Sequence, residues 1–125
     1  MARILVIDED APLRGNLRRL LVLEGYEVVE ASGGCEGLER ALADPPDAVL
    51  CDLVMPDLDG MAVLDGLRAN PRTAEVPFVL VTGRVTPSTA RDAPPIDADG
   101  CVTKPFDIDR LLAVLADVLS RSPRR

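Results

Sequence analysis

Four short stretches of this 125-residue chain carry side chains able to do chemistry. Asp8, Glu9 and Asp10 follow the apolar run 4–7. Asp52 follows 48–51, Thr82 follows 78–81, and Lys104 stands between Thr103 and Pro105. Carboxylates brought together repel, and one must stay protonated unless a cation joins them. Hard oxygen ligands of this kind match Mg²⁺, which keeps part of its water and favours phosphate oxygens. A lysine ammonium beside them neutralises a phosphoryl group as a compact point charge, a role that arginine does not fill interchangeably. Asp52, at the mouth of an apolar segment, would then serve as a carboxylate nucleophile forming an aspartyl-phosphate. Each residue taken singly has a plainer reading. Acids after a strand cap the next helix, Asp52 reads as a turn residue, Thr82 as a strand end and Lys104 as a solvated lysine. Their joint appearance at the ends of successive strands is what the plain readings leave unexplained.

The elements that must position these residues follow from hydrophobic periodicity. Residues 4–7, 48–51 and 78–81 are short runs apolar on both faces, as in parallel strands covered by helices on each side. Residues 26–30 and 101–103 are weaker strands, as edges tend to be. Helical stripes lie between them. Leu13, Leu17, Leu20 and Leu21 form one, stopped by Gly25. Cys35, Leu38 and Leu42 form a second, closed by Pro45 and Pro46. Met61, Leu64 and Leu67 form a third, with Asp59 in its N-cap region. Ile108, Leu111, Leu112, Leu115 and Leu119 form the clearest, opened by Asp107. This alternation predicts an α/β fold: a flavodoxin-like, doubly wound, five-stranded parallel sheet of order 2-1-3-4-5. Ligands in such folds sit beyond the carboxyl ends of the strands, where the strand order reverses. That rule gathers Asp8, Glu9, Asp52, Thr82 and Lys104 on one rim. Residues 1–120 are expected to form the domain and 121–125 a tail or truncated linker.

Composition excludes several classes. The chain has no histidine, which rules out a Ser-His-Asp triad and a His-ligated zinc site. A net charge of −7 and three aromatic residues suit neither direct nucleic-acid binding nor base stacking. Cys35, Cys51 and Cys101 are odd in number and form no CxxC pair, which fits a reducing, cytoplasmic setting and buried small side chains. No apolar stretch reaches the ~20 residues of a membrane span. Lys104 is the single lysine among fourteen basic residues.

The chain resembles the receiver domain of the two-component response-regulator family. The residues that carry the resemblance are Ile7-Asp8-Glu9-Asp10, the stretch 51–60 (CDLVMPDLDG), Val81-Thr82-Gly83 and Thr103-Lys104-Pro105-Phe106. The resemblance covers about residues 3–119 and implies the following roles. Asp52 accepts a phosphoryl group from a phosphohistidine on a histidine kinase or a histidine phosphotransfer protein. Glu9 is a direct Mg²⁺ ligand, Asp8 acts mainly through water, and the Val54 carbonyl completes the protein's share of the coordination. Lys104 contacts the phosphoryl group and, before it arrives, Asp52. Thr82 hydrogen-bonds a phosphoryl oxygen, and the Lys104–Pro105 bond is cis. Activity is limited to self-phosphorylation and slow self-dephosphorylation, and the result is a switch in contacts with a downstream protein target.

Three departures from the family pattern qualify that picture. Glu9 stands where an aspartate is usual. Cys101 occupies the position three before Lys104 that normally carries a mobile aromatic, so the ordinary threonine–aromatic coupling has no ring to move. The stretch 86–99 should hold the fourth of five helices, but Pro94 and Pro95 end any helix by about Asp92, so a short or irregular segment is expected. In the family that helix, with the fifth strand and fifth helix, makes the usual output and homodimer surface. Arg84, two residues after Thr82, is expected to overlook the phosphorylation site and slow attack by water. Two other functions compete with the switch. One is a non-switching docking module with a receiver fold, favoured by Cys101 and the broken helix. The other is a haloacid-dehalogenase-type phosphatase using the DxDG of Asp57 and Asp59. That motif needs its first aspartate at a strand end, whereas Pro56 precedes it here, so a turn and helix cap fits better.

Overall fold

The computed structural model describes residues 1–83 and 98–121, with Thr82 described for its backbone. Five strands form one parallel sheet: β1 (Arg3–Ile7), β2 (Glu27–Ala31), β3 (Ala48–Asp52), β4 (Phe78–Thr82) and β5 (Gly100–Thr103). Their order is β2-β1-β3-β4-β5, as the alternating pattern predicts. The described helices are α1 (Ala11–Leu23), α2 (Gly34–Ala43), α3 (Gly60–Arg68) and α4 (Ile108–Arg121). The expected short helix and Arg84 fall on residues 84–97 and lie outside the described residues.

Strand alternation divides the core into two. Side chains of a strand point to opposite faces in turn. Ile4, Val6, Leu50, Val79 and Val81 therefore pack on one face with Leu17 and Leu21 of α1 and Leu111 and Leu115 of α4. Leu5, Ile7, Val49, Cys51, Phe78 and Leu80 face the other way, against Val63, Leu64 and Leu67 of α3 and Ala41 of α2. This two-sided burial is why β1, β3 and β4 read as unbroken apolar runs.

Two expected core residues lie elsewhere. Leu20 is 38 % exposed, because Leu17 and Leu21 already fill the inward stripe of α1. Cys35 is exposed on α2, whose buried face is made of Gly34, Gly37 and Ala41. α2 thus approaches the sheet through small residues. A Cβ on Gly37 would run into Cδ1 of Ile7 and lie 2.7 Å from its Cγ1. Gly37→Ala is expected to cost about 1–3 kcal/mol by overpacking, read as a lower urea midpoint. Adding Ile7→Val, which removes the colliding Cδ1, should return part of that loss.

Candidate functional site

The crossing from β2 back past β1 to β3 sets the site. Ile7 pairs with Cys51 across the β1–β3 ladder, so the next residues, Asp8 and Asp52, emerge side by side. Thr82 and Thr103 are paired at the ends of β4 and β5, which brings Lys104 to the same rim. The strand-end residues expected to converge are therefore neighbours.

Lys104 joins the two acids. Its Nζ lies 3.0 Å from Asp8 Oδ2 and 3.5 Å from Asp52 Oδ2. The side chains are 21 % exposed for Lys104, 3 % for Asp8 and 12 % for Asp52. Asp8 is held further by the Asp10 N–H, which donates to its Oδ1 at 2.9 Å. Burial raises the Asp52 carboxyl above the ordinary aspartate value, and the nearby Asp8 charge adds to the rise. The Lys104 ammonium and the Val54 backbone N–H pull it back. Two carboxylates therefore share one ammonium, which leaves the buried cluster short of positive charge. The Lys104–Pro105 peptide is cis, as the resemblance implies.

The other predicted site residues are placed as follows. Glu9 is exposed at the rim, beside the buried Asp8. Val54 lies two residues past Asp52 with an exposed side chain. Cys101 is half-buried on β5, paired with Leu80 and packed on the α2–α3 side of the core. Burial raises its thiol against the opposing charge of Arg110, and burial pushes the Cys51 thiol far up.

The segment after Asp52 is pinned at both ends. Asp59 caps α3, accepting the Ala62 N–H at 2.9 Å. Gly60 donates to the Leu53 carbonyl at 2.8 Å, and a Cβ there would lie 2.6 Å from the Asp52 carbonyl. Only glycine lets α3 start so close to the acid. Asp57 reaches a different helix, accepting from Gly34 N–H at 3.1 Å and Cys35 N–H at 3.0 Å at the start of α2. Both aspartates are thus helix caps, which removes the DxDG phosphatase reading. The Asp57 link was missed from sequence because its partners lie more than twenty positions away. Also missed were Arg14, which donates to the Asp8 carbonyl, and Glu30, which accepts from Arg14.

The donor set suits a hard cation. Asp8 and Asp52 present carboxylate oxygens beside a charge deficit, and Mg²⁺ binds through one or two carboxylates and water. Among the described residues no three His, Cys, Asp or Glu side chains form a cage made by protein alone. A cation here would therefore keep much of its hydration. Among the described residues no helix is long and apolar enough to cross a membrane.

Residues 4–116 match the family described as the response regulator receiver domain. The chain belongs to that family. It is 38 % identical over 122 residues to the transcriptional regulatory protein KdpE of Mycobacterium tuberculosis, covering 98 % of this chain and 53 % of the relative. It is 34 % identical over 124 residues to the DNA-binding dual master transcriptional regulator RpaA of Synechocystis, covering 99 % of this chain and 52 % of that protein. The chain thus spans about half the length of these curated relatives. Among solved structures, the Vibrio cholerae chemotaxis protein CheY4 superposes with a TM-score of 0.85 at 28 % identity, covering 94 % of this chain and 98 % of that one. Receiver domains are signalling modules.

Two outcomes follow from the charge arrangement. The backbone N–H of Cys35 is the largest influence holding Asp57 down at about 2. A depressed carboxyl stabilises the fold above its unfolded value of 3.8 and loses that stabilisation as the pH falls toward 2. Asp57→Ala should lower the melting temperature at pH 7, with the gap to wild type closing between about pH 4 and pH 2. Lys104→Met would leave two buried carboxylates without their ammonium. Losing Lys104 removes what pulls the raised Asp52 carboxyl back, which favours the protonated fold, so the loss in melting temperature should be largest at neutral pH and shrink on acidification.

Proposed function

We propose that this receiver takes a phosphoryl group onto Asp52 from a partner's phosphohistidine in a Mg²⁺-dependent step. The observation that supports it most is the Lys104 ammonium set between Asp8 and Asp52 at the switch point of the sheet. An Asp52 oxygen attacks phosphorus as the bond to the donor's imidazole nitrogen breaks, and that nitrogen leaves with the electron pair. Lys104 then neutralises a phosphoryl oxygen, and Thr82 and the Val54 segment flank the new group. Asp8, Glu9, Asp52 and the Val54 carbonyl would hold the cation. Bound there, it would supply charge neutralisation for the phosphoryl oxygens.

The net charge of −7 favours a protein rather than a nucleic acid as the direct partner. All three cysteines are free, which supports a reducing, cytoplasmic setting. Cys101 supports a second reading, a docking module that does not switch, because no ring is available at that position. Amide NMR spectra with and without beryllofluoride separate the two, since changes confined to the acidic rim would favour docking.

The direct test incubates the chain with acetyl phosphate and Mg²⁺ and weighs it. A gain of one phosphoryl group is expected, abolished in Asp52→Asn and when a chelator removes the metal. A gain that persists in Asp52→Asn would overturn the assignment.

A further inference from the structure

We propose that Arg14 is a positioning residue, anchored by Glu30, that holds the Asp8–Glu9 segment in register for the cation. The inference rests on the reading of the acidic rim as a cation site and adds a residue outside that rim. Arg14 ends the first turn of α1, and its guanidinium turns back toward the sheet. Its Nη1 donates to the Asp8 carbonyl at 2.6 Å, and its Nε donates to Glu30 Oε1 at 3.0 Å. The side chain is only 16 % exposed. The Asp8 N–H donates to the Ala31 carbonyl at 3.1 Å. Asp8 is therefore tied to β2 twice, directly through Ala31 and through Arg14 to Glu30.

A basic residue in the first turn of a helix opposes the helix dipole, an effect that the Asp10 carboxylate capping α1 offsets only in part. The placement carries a local cost, which the tether explains. Arg18 Nε lies 3.6 Å from the other Glu30 oxygen. Glu30 offsets Arg14, but Arg18 leaves this group one positive charge in excess, so the charge-keeping Arg14→Lys is what separates orientation from charge. A lysine at position 14 would keep the charge, but an ammonium lacks the planar fork that bridges a carbonyl and a carboxylate.

Calorimetric titration of the full chain with Mn²⁺ tests this on wild type, Arg14→Met, Arg14→Lys, Glu30→Gln, the Arg14→Met/Glu30→Gln pair and Arg19→Ala. The last removes a charge from the same helix, where Arg19 bonds only Asn16 among the described contacts. Residues that orient metal ligands typically change affinity ten- to a hundredfold. Arg14→Met should weaken binding about tenfold. The double variant should stay as weak, Arg14→Lys should fall between, and Arg19→Ala should match wild type. In acetyl phosphate assays the half-saturating Mg²⁺ concentration should rise in Arg14→Met while the maximal rate holds. Wild-type affinity in Arg14→Met, or recovery in the double variant, would overturn the positioning role. Should Arg14→Met fail to fold, Arg14→Lys and Glu30→Gln carry the same comparison. A wild-type chain that binds no Mn²⁺ would overturn the cation reading itself, and this inference with it.

Discussion

One ammonium faces two buried carboxylates, and most of the architecture serves that imbalance. Moving charges out of water is costly, and a single lysine cannot repay it for both acids. Burial and mutual repulsion raise Asp52, while Lys104 and the Val54 N–H oppose them. The site therefore carries an excess of negative charge that a bound cation would relieve. The unrelieved charge is a local cost to stability.

The sheet makes this arrangement reproducible. Reversal of strand order sets β1 beside β3, and the Ile7–Cys51 register places the two acids together without any contribution from loops. The loops then refine it. Asp59 and Gly60 bring the start of α3 against the Asp52 carbonyl, and Asp57 fastens the same segment to the start of α2. Asp8 is bonded through its N–H, its carbonyl and its carboxylate.

What was legible in the sequence had a local signature. Strands buried on both faces show as unbroken apolar runs, and the Asp59 cap sits directly before its helix, so the sheet order and the rim of Asp8, Asp52 and Lys104 could be read. What escaped depends on three dimensions. α2 packs through Gly34, Gly37 and Ala41, and small residues leave no hydrophobic stripe, which is why Cys35 looked buried. Leu20 belongs to a leucine-rich helix whose inward face needs only Leu17 and Leu21. Arg14 carried no local signal, because its partners, Asp8 just past β1 and Glu30 on β2, are brought to it only by the fold.

The sheet's two margins differ in length but share a property. β2 carries Glu27 and Glu30, both engaged by arginines, and β5 spans only four residues beginning at a glycine. Charged or very short outer strands discourage another chain from adding itself to the ladder. A partner recognising this domain is thus steered away from borrowing its backbone hydrogen bonds. Recognition falls to side chains on helices and connecting segments, surfaces that can diverge between paralogues while the central scaffold stays the same.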